Sequence, residues 1–154
     1  MKRHLSALVA LIIILFSVCG CDKTNHTDQS FNEIEYRTDL EPIVNRFPIL
    51  KDIKQTYWKT MVIGNSKFGP TNYLIVGFVV LSDVRKNEFE NKYHFNESVE
   101  LILPEGIDYN ITSFSKFEWY ACEDFSKDVL NNNFVGSVFY DTLNGIVFFN
   151  VQNV

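Results

Sequence analysis

The sequence predicts an α+β fold: a small single domain with a mostly antiparallel sheet of about six strands and two or three short helices. Two observations support this prediction. Runs rich in β-branched and aromatic residues recur along the chain, separated by short segments that carry helix-start or turn signals. The chain has 154 residues, of which 46% are hydrophobic, so it is large and apolar enough to bury a core.

The first element of the predicted domain is a short helix over residues 40–46. Asp39 is expected to be its N-cap, and Pro42 falls in the first turn, where a missing backbone N–H does no harm. Pro48 is expected to end the helix.

Two strands are predicted next, over residues 53–63 and 73–81, with a loop over residues 64–72 between them. The first run is rich in β-branched and aromatic residues. The second is nearly all apolar, which indicates a strand that is buried on both faces.

A second helix is predicted up to residue 92, because Ser82 or Asp83 can cap it and charged residues dominate most of its length. Its apolar face is expected to contain Val84, Phe89 and Tyr93.

Residues 98–103 are predicted to form a strand that ends before Pro104-Glu105-Gly106, and residues 111–120 are predicted to form another, since apolar and polar residues alternate in them. Residues 126–131 are predicted to form a short helix. Glu123 and Asp124 precede it and suit the positive end of the helix dipole.

The strongest local signal is a hairpin at the C-terminal end. Strands are predicted over residues 134–140 and 146–151, and Asn144-Gly145 between them favours a tight turn.

The N-terminal segment has the pattern of a secretory signal peptide. Lys2 and Arg3 supply a positive head, and residues 5–18 form an almost continuous apolar run. This run of about 14 residues reaches only ~21 Å as a helix, against a hydrocarbon core of ~30 Å. A transmembrane helix is therefore not expected here.

The apolar run closes with Val18-Cys19-Gly20-Cys21, which resembles the lipobox of bacterial lipoproteins. The resemblance implies cleavage after Gly20 and a diacylglyceryl group on the Cys21 thiol. It also implies an acylated (palmitate-type) N-terminus that holds the protein at the extracytoplasmic face of the cell membrane. The alternatives are an ordinary secretory signal peptide with a chance cysteine, or an uncleaved anchor.

Three regions follow from this interpretation: a signal peptide over residues 1–20, a polar tether over residues 21–32 and a globular domain over residues 33–154. Loss of Lys2 and Arg3 would leave 12 basic and 19 acidic side chains, a formal net charge of −7. An acidic chain without a basic stripe argues against a nucleic-acid partner. A monomer is expected.

Titratable groups that support catalysis are few in the predicted domain, which contains His94 and Cys122 as its single histidine and cysteine. The sequence gives no reason for these two residues to meet, and both are expected to be structural. No metal site, cofactor or catalytic residue is predicted, because no motif with the required ligand or phosphate-loop spacing is present.

Aromatic residues exceed what a small core needs, so some of them are candidates for a binding groove, although most are expected in the core. The candidates are Tyr57, Trp58, Phe68, Tyr73, Phe114, Phe117, Trp119 and Tyr120. The leading hypothesis is a lipid-anchored, non-enzymatic binding or interaction module with a protein partner in the bacterial envelope. An immunity-type inhibitor of a basic toxin and an enzyme that depends on Cys122 and His94 are the alternatives.

Overall fold

The computed structural model describes residues 35–63, 72–103 and 114–154. The helical elements in chain order are α1 (Glu41–Arg46), a 3₁₀ helix (Pro48–Leu50), α2 (Asp83–Lys92) and α3 (Glu123–Leu130). The strands are β1 (Ile53–Ile63), β2 (Asn72–Leu81), β3 (Glu97–Ser98), β4 (Trp119–Ala121), β5 (Phe134–Asp141) and β6 (Ile146–Asn153).

The described strands form one six-stranded sheet in the order β1-β2-β6-β5-β4-β3. Every neighbouring pair is antiparallel. The β1–β2 and β5–β6 pairs are consecutive in the chain, and β2 pairs with β6 at the centre of the sheet. The predicted α+β class with an antiparallel sheet is confirmed.

The three α-helices cover one face of the sheet, and the main core lies between the helices and that face. Because side chains alternate along a strand, every second residue of β2, β5 and β6 points into this core. The helices contribute Ile43, Phe89, Phe125 and Val129. The strands contribute Ile75, Val79, Val138, Tyr140, Val147, Phe149 and Val151.

The opposite face of the sheet carries a second, smaller core. Val76, Phe78 and Phe148 are buried there. Five residues from two segments outside the regular strands pack against them: Val99, Leu101, Leu103, Phe114 and Phe117. This second cover explains why β2 is apolar on both faces, as predicted for a fully buried strand.

The start of α1 differs from the prediction. Leu40 is the N-cap residue, and no side chain caps the helix. Asp39 instead forms an ion pair with Arg37, and the guanidinium holds the pKa of the Asp39 carboxyl below its usual value. The helix ends at Arg46, and Pro48 is the first residue of the 3₁₀ helix that follows.

The cap of α2 is confirmed, whereas its predicted buried face is wrong in part. The Arg85 backbone N–H donates to Ser82 Oγ at 3.2 Å. Val84, expected to be buried, is 67% exposed, and Arg85 is 8% exposed in its place. The Arg85 guanidinium donates to the Asp52 carboxylate at 3.0 Å and to the Glu88 carboxylate at 2.5 Å, so its burial is compensated by charge pairing.

Two predicted strands are much shorter than expected. Of residues 98–103 only the first belongs to a strand, and of residues 111–120 only the last two do; residues 111–113 lie outside the described part of the chain. The predicted helix over 126–131 begins three residues earlier, so Glu123 and Asp124 lie inside its first turn.

The described residues form one compact unit. Among the described residues no helix is long and apolar enough to cross a membrane. The signal peptide with Gly20, the lipidation site Cys21, the tether and most of the loop over residues 64–72 lie outside the described residues.

Candidate functional site

The β3–β4 ladder ends at a defined point. Ser98 pairs with Tyr120, and the Val99 N–H donates to the Trp119 carbonyl at 2.9 Å. Within the residues that the structure describes, no further backbone hydrogen bond joins the two chain segments. The segments therefore separate beyond this point.

A groove of about 790 Å³ opens between residues 98–101 and residues 115–120, where the ladder stops. If the register continued, Leu101 would be the next hydrogen-bonded partner of Phe117, because such pairs recur every two residues in an antiparallel ladder. Within the described residues, the groove thus has on each side a segment without ladder hydrogen bonds. Its volume is within the range of protein sites that bind ligands.

The wall of the groove next to the second core is apolar. The Phe117 and Trp119 rings are stacked, with centroids 5.7 Å apart and planes 12° apart. Val99 and Leu101 from the other segment pack against the same core. Trp119 is only 7% exposed, so the half-buried Phe117, Val99 and Leu101 are the side chains that this wall offers to anything that enters the groove.

The other wall is acidic. Glu100 is exposed, and no ion pair involving it is formed within the described ranges. Glu118 pairs with Lys116, and this carboxylate raises the pKa of the Lys116 ammonium. One carboxylate is therefore left without a balancing cation along this wall.

The segment with Phe117 is held in place from its outer side. The Glu118 N–H donates to the Asp141 carboxylate at 2.9 Å, and the Thr142 N–H donates to the Glu118 carbonyl at 3.2 Å. The Asn144 side-chain amide donates to the Lys116 carbonyl at 2.8 Å. Both backbone groups of Glu118 bond to the outer side, so in a continued strand the N–H and C=O of Phe117 would lie on the opposite side, toward the groove.

A second cleft, of about 590 Å³, lies between the C-terminal end of α2 and the N-terminal end of α3. Both His94 and Cys122 line it. Yet no hydrogen bond joins them in the described structure, and Cys122 also packs against the main core. The structure brings these two candidate residues to one cleft without placing them as a nucleophile and its base, which require hydrogen-bond contact.

A hydrogen-bonded polar cluster lines part of this second cleft. Lys92 Nζ and the Tyr93 hydroxyl both donate to Asp128 Oδ2, at 2.8 Å and 2.6 Å. The ammonium and then the hydroxyl lower the pKa of the Asp128 carboxyl, and the carboxylate raises the pKa of Lys92. These contacts connect α2 to α3 and are satisfied without a ligand.

The described residues contain no group of three or more His, Cys, Asp or Glu side chains arranged to hold a metal ion.

Three of the eight aromatic candidates line the groove: Phe117, Trp119 and Tyr120. The others lie elsewhere: Trp58 and Tyr73 pack in the main core, Tyr57 and Phe114 pack in the second core, and Phe68 is outside the described residues. Sequence reasoning missed Glu100 and Leu101, because their role depends on where the ladder ends.

Comparison of the chain with protein-family models, curated proteins and solved structures gives no match.

Proposed function

We propose that this protein is a lipid-anchored binding module of the bacterial envelope, and that its groove between residues 98–101 and 115–120 binds a basic segment of a protein partner. The anchor is the diacylglyceryl group expected on Cys21 after cleavage at Gly20. The domain contributes recognition and no chemistry.

The observation that supports this proposal best is the pairing of an aromatic wall with an unbalanced carboxylate in one groove. Phe117, half-buried and stacked on the buried Trp119, supplies apolar contact area together with Val99 and Leu101. Glu100 supplies the negative charge. A segment that carries both apolar and basic side chains can satisfy both walls.

Binding to a cationic peptide tests the recognition part of the proposal. The probe is a fluorescein-labelled heptapeptide of four lysines and three valines in alternating order, and the full-length protein is in a non-ionic detergent. We expect binding by fluorescence anisotropy, with an affinity that falls as salt rises because the charges are partly exposed. Glu100→Gln should weaken binding about threefold to fivefold, as expected for a partly exposed ion pair.

Glu41→Gln is the matched control, since Glu41 is an exposed carboxylate in α1, on the helix-covered face of the sheet. It changes the net charge by the same amount and should leave the affinity unchanged. Equal effects of the two substitutions, or binding that does not respond to salt, would contradict recognition at the groove.

The anchor has its own test. Protein recovered from membranes of a bacterial host should have the intact mass of a chain that begins at Cys21 and carries acyl groups. The Cys21→Ala variant should retain residues 1–20 and lack the added mass. An unlipidated wild-type chain would contradict the anchor and leave the groove to be judged by the peptide experiment.

A further inference from the structure

Resting on the proposed function, we infer that the groove binds its partner by strand addition: one extended segment of alternating basic and apolar residues enters between Leu101 and Phe117. The inserted segment would restore the sheet where the β3–β4 ladder stops. Backbone hydrogen bonds would give affinity, and the two walls would select the side chains.

The backbone groups support this mode of binding. If the register of the ladder continued, the N–H and C=O of Phe117 would lie toward Leu101, and the described residues offer neither of these residues a backbone partner. Two facing, unpaired strand edges are a template for one additional strand. An inserted segment would bond to each edge with alternate residues.

The two walls dictate the sequence pattern of the segment. Side chains of an extended strand point alternately to the two faces of the sheet. On one face they would meet Val99, Leu101, Phe117 and Trp119; on the other they would meet Glu100 and Glu118. Apolar residues are therefore favoured at every second position of the segment, and basic residues are favoured at the positions between them.

The Phe117 edge is also preorganised. The bonds from Asp141, Thr142 and Asn144 fix the neighbouring residues on the outer side, so little conformational entropy is lost there when a strand is added. An edge that is rigid before binding distinguishes this groove from a surface that merely attracts cations.

A comparison of two peptides with identical composition tests the inference. The alternating lysine and valine heptapeptide is compared with one in which four lysines precede three valines, both with the full-length protein in non-ionic detergent. We expect the alternating peptide to bind at least tenfold more tightly. N-methylation of its central residue should weaken it about fivefold, the loss typical of one backbone hydrogen bond, and N-methylation of its terminal residue should not.

Amide hydrogen exchange locates the segment. Binding of the alternating peptide should slow exchange at Phe117 and Leu101, while Glu97 in the existing β3 strand serves as the internal reference. Equal affinity for both peptides would overturn strand addition and leave the proposed function intact. No binding of either peptide would overturn both.

Amide hydrogen exchange of the free protein tests whether a segment of this chain or a second copy occupies the groove instead of a basic partner. If Phe117 and Leu101 are already protected at every protein concentration, a segment of this chain occupies the groove. If protection rises with protein concentration, a second copy does. Either result would overturn the assignment of the groove to a basic partner, whereas rapid exchange in the free protein supports it.

Discussion

Gly77→Ala is expected to lower the free energy of unfolding by about 3 kcal/mol, because a methyl group at this position would overlap with backbone atoms of Tyr57 and Trp58 and with Trp58 Cβ. A Cβ on Gly77 would lie 2.4 Å from the Tyr57 carbonyl oxygen and 2.7 Å from Trp58 Cα. Gly77 pairs with Trp58 in β1 and with Phe149 in β6, so it lies between two large buried side chains. The strands can relieve the overlap only by moving apart.

Urea denaturation of the full-length protein, followed by tryptophan fluorescence, measures this effect. Ser137→Ala is the control, since Ser137 is an exposed position of β5 where a small change should cost no more than about 0.5 kcal/mol. A Gly77→Ala midpoint close to that of Ser137→Ala would show that β1 and β2 do not approach as closely as the structure indicates.

The long strands were predictable because burial and pairing coincide in them. For β1 the predicted and observed bounds agree, and for β2 they differ by one residue at the first position. In the β5–β6 hairpin the turn signal proved right: Gly145 has a φ of 67°, which glycine adopts without strain. In these elements every apolar residue that indicates a strand is also paired with a neighbouring strand.

The same pattern failed at residues 98–103 because alternation reports burial of one face and not backbone pairing. Val99, Leu101 and Leu103 do alternate, and all three pack against the second core. Their backbone nevertheless leaves the ladder after Val99. A segment can cover a sheet face with the periodicity of a strand while its hydrogen bonds stay open.

This failure lies at the candidate site. The aromatic members, Phe117 and Trp119, could be singled out from the sequence as surplus to the core. The position of Leu101 opposite Phe117 could not be predicted, since it follows from long-range pairing that no local pattern encodes. The position of His94 and Cys122 at one cleft was equally beyond sequence reasoning, because α2 and α3 meet only through the tertiary fold.

Asp141 is the buried carboxylate that connects the β5–β6 turn to the groove, and we expect Asp141→Ala to cost about 3 kcal/mol of stability. Asp141 is fully buried. It accepts hydrogen bonds from the Glu118 N–H at 2.9 Å, from the Leu143 N–H at 3.0 Å and from the Asn144 amide at 2.6 Å. Alanine would remove the acceptor of three part-buried donors, and a donor left unsatisfied away from water costs more than an average hydrogen bond contributes.

Asp141→Asn has nearly the same shape as the wild-type side chain. It therefore separates the loss of both acceptor oxygens, as in Asp141→Ala, from the loss of the Asn144 contact alone. Its remaining carbonyl can still accept from Glu118 and Leu143, but its amino group would face the Asn144 amide, so we expect a cost of about 1 kcal/mol. We predict that the urea midpoint falls from wild type to Asp141→Asn and further to Asp141→Ala. Equal midpoints for the two variants would contradict the role of the Glu118 and Leu143 bonds.

Because Asp141 fixes the outer side of the Phe117 edge without lining the groove, Asp141→Ala should also weaken binding of the alternating peptide under conditions where the variant remains folded. Unchanged affinity there would show that the edge does not depend on this carboxylate for its position.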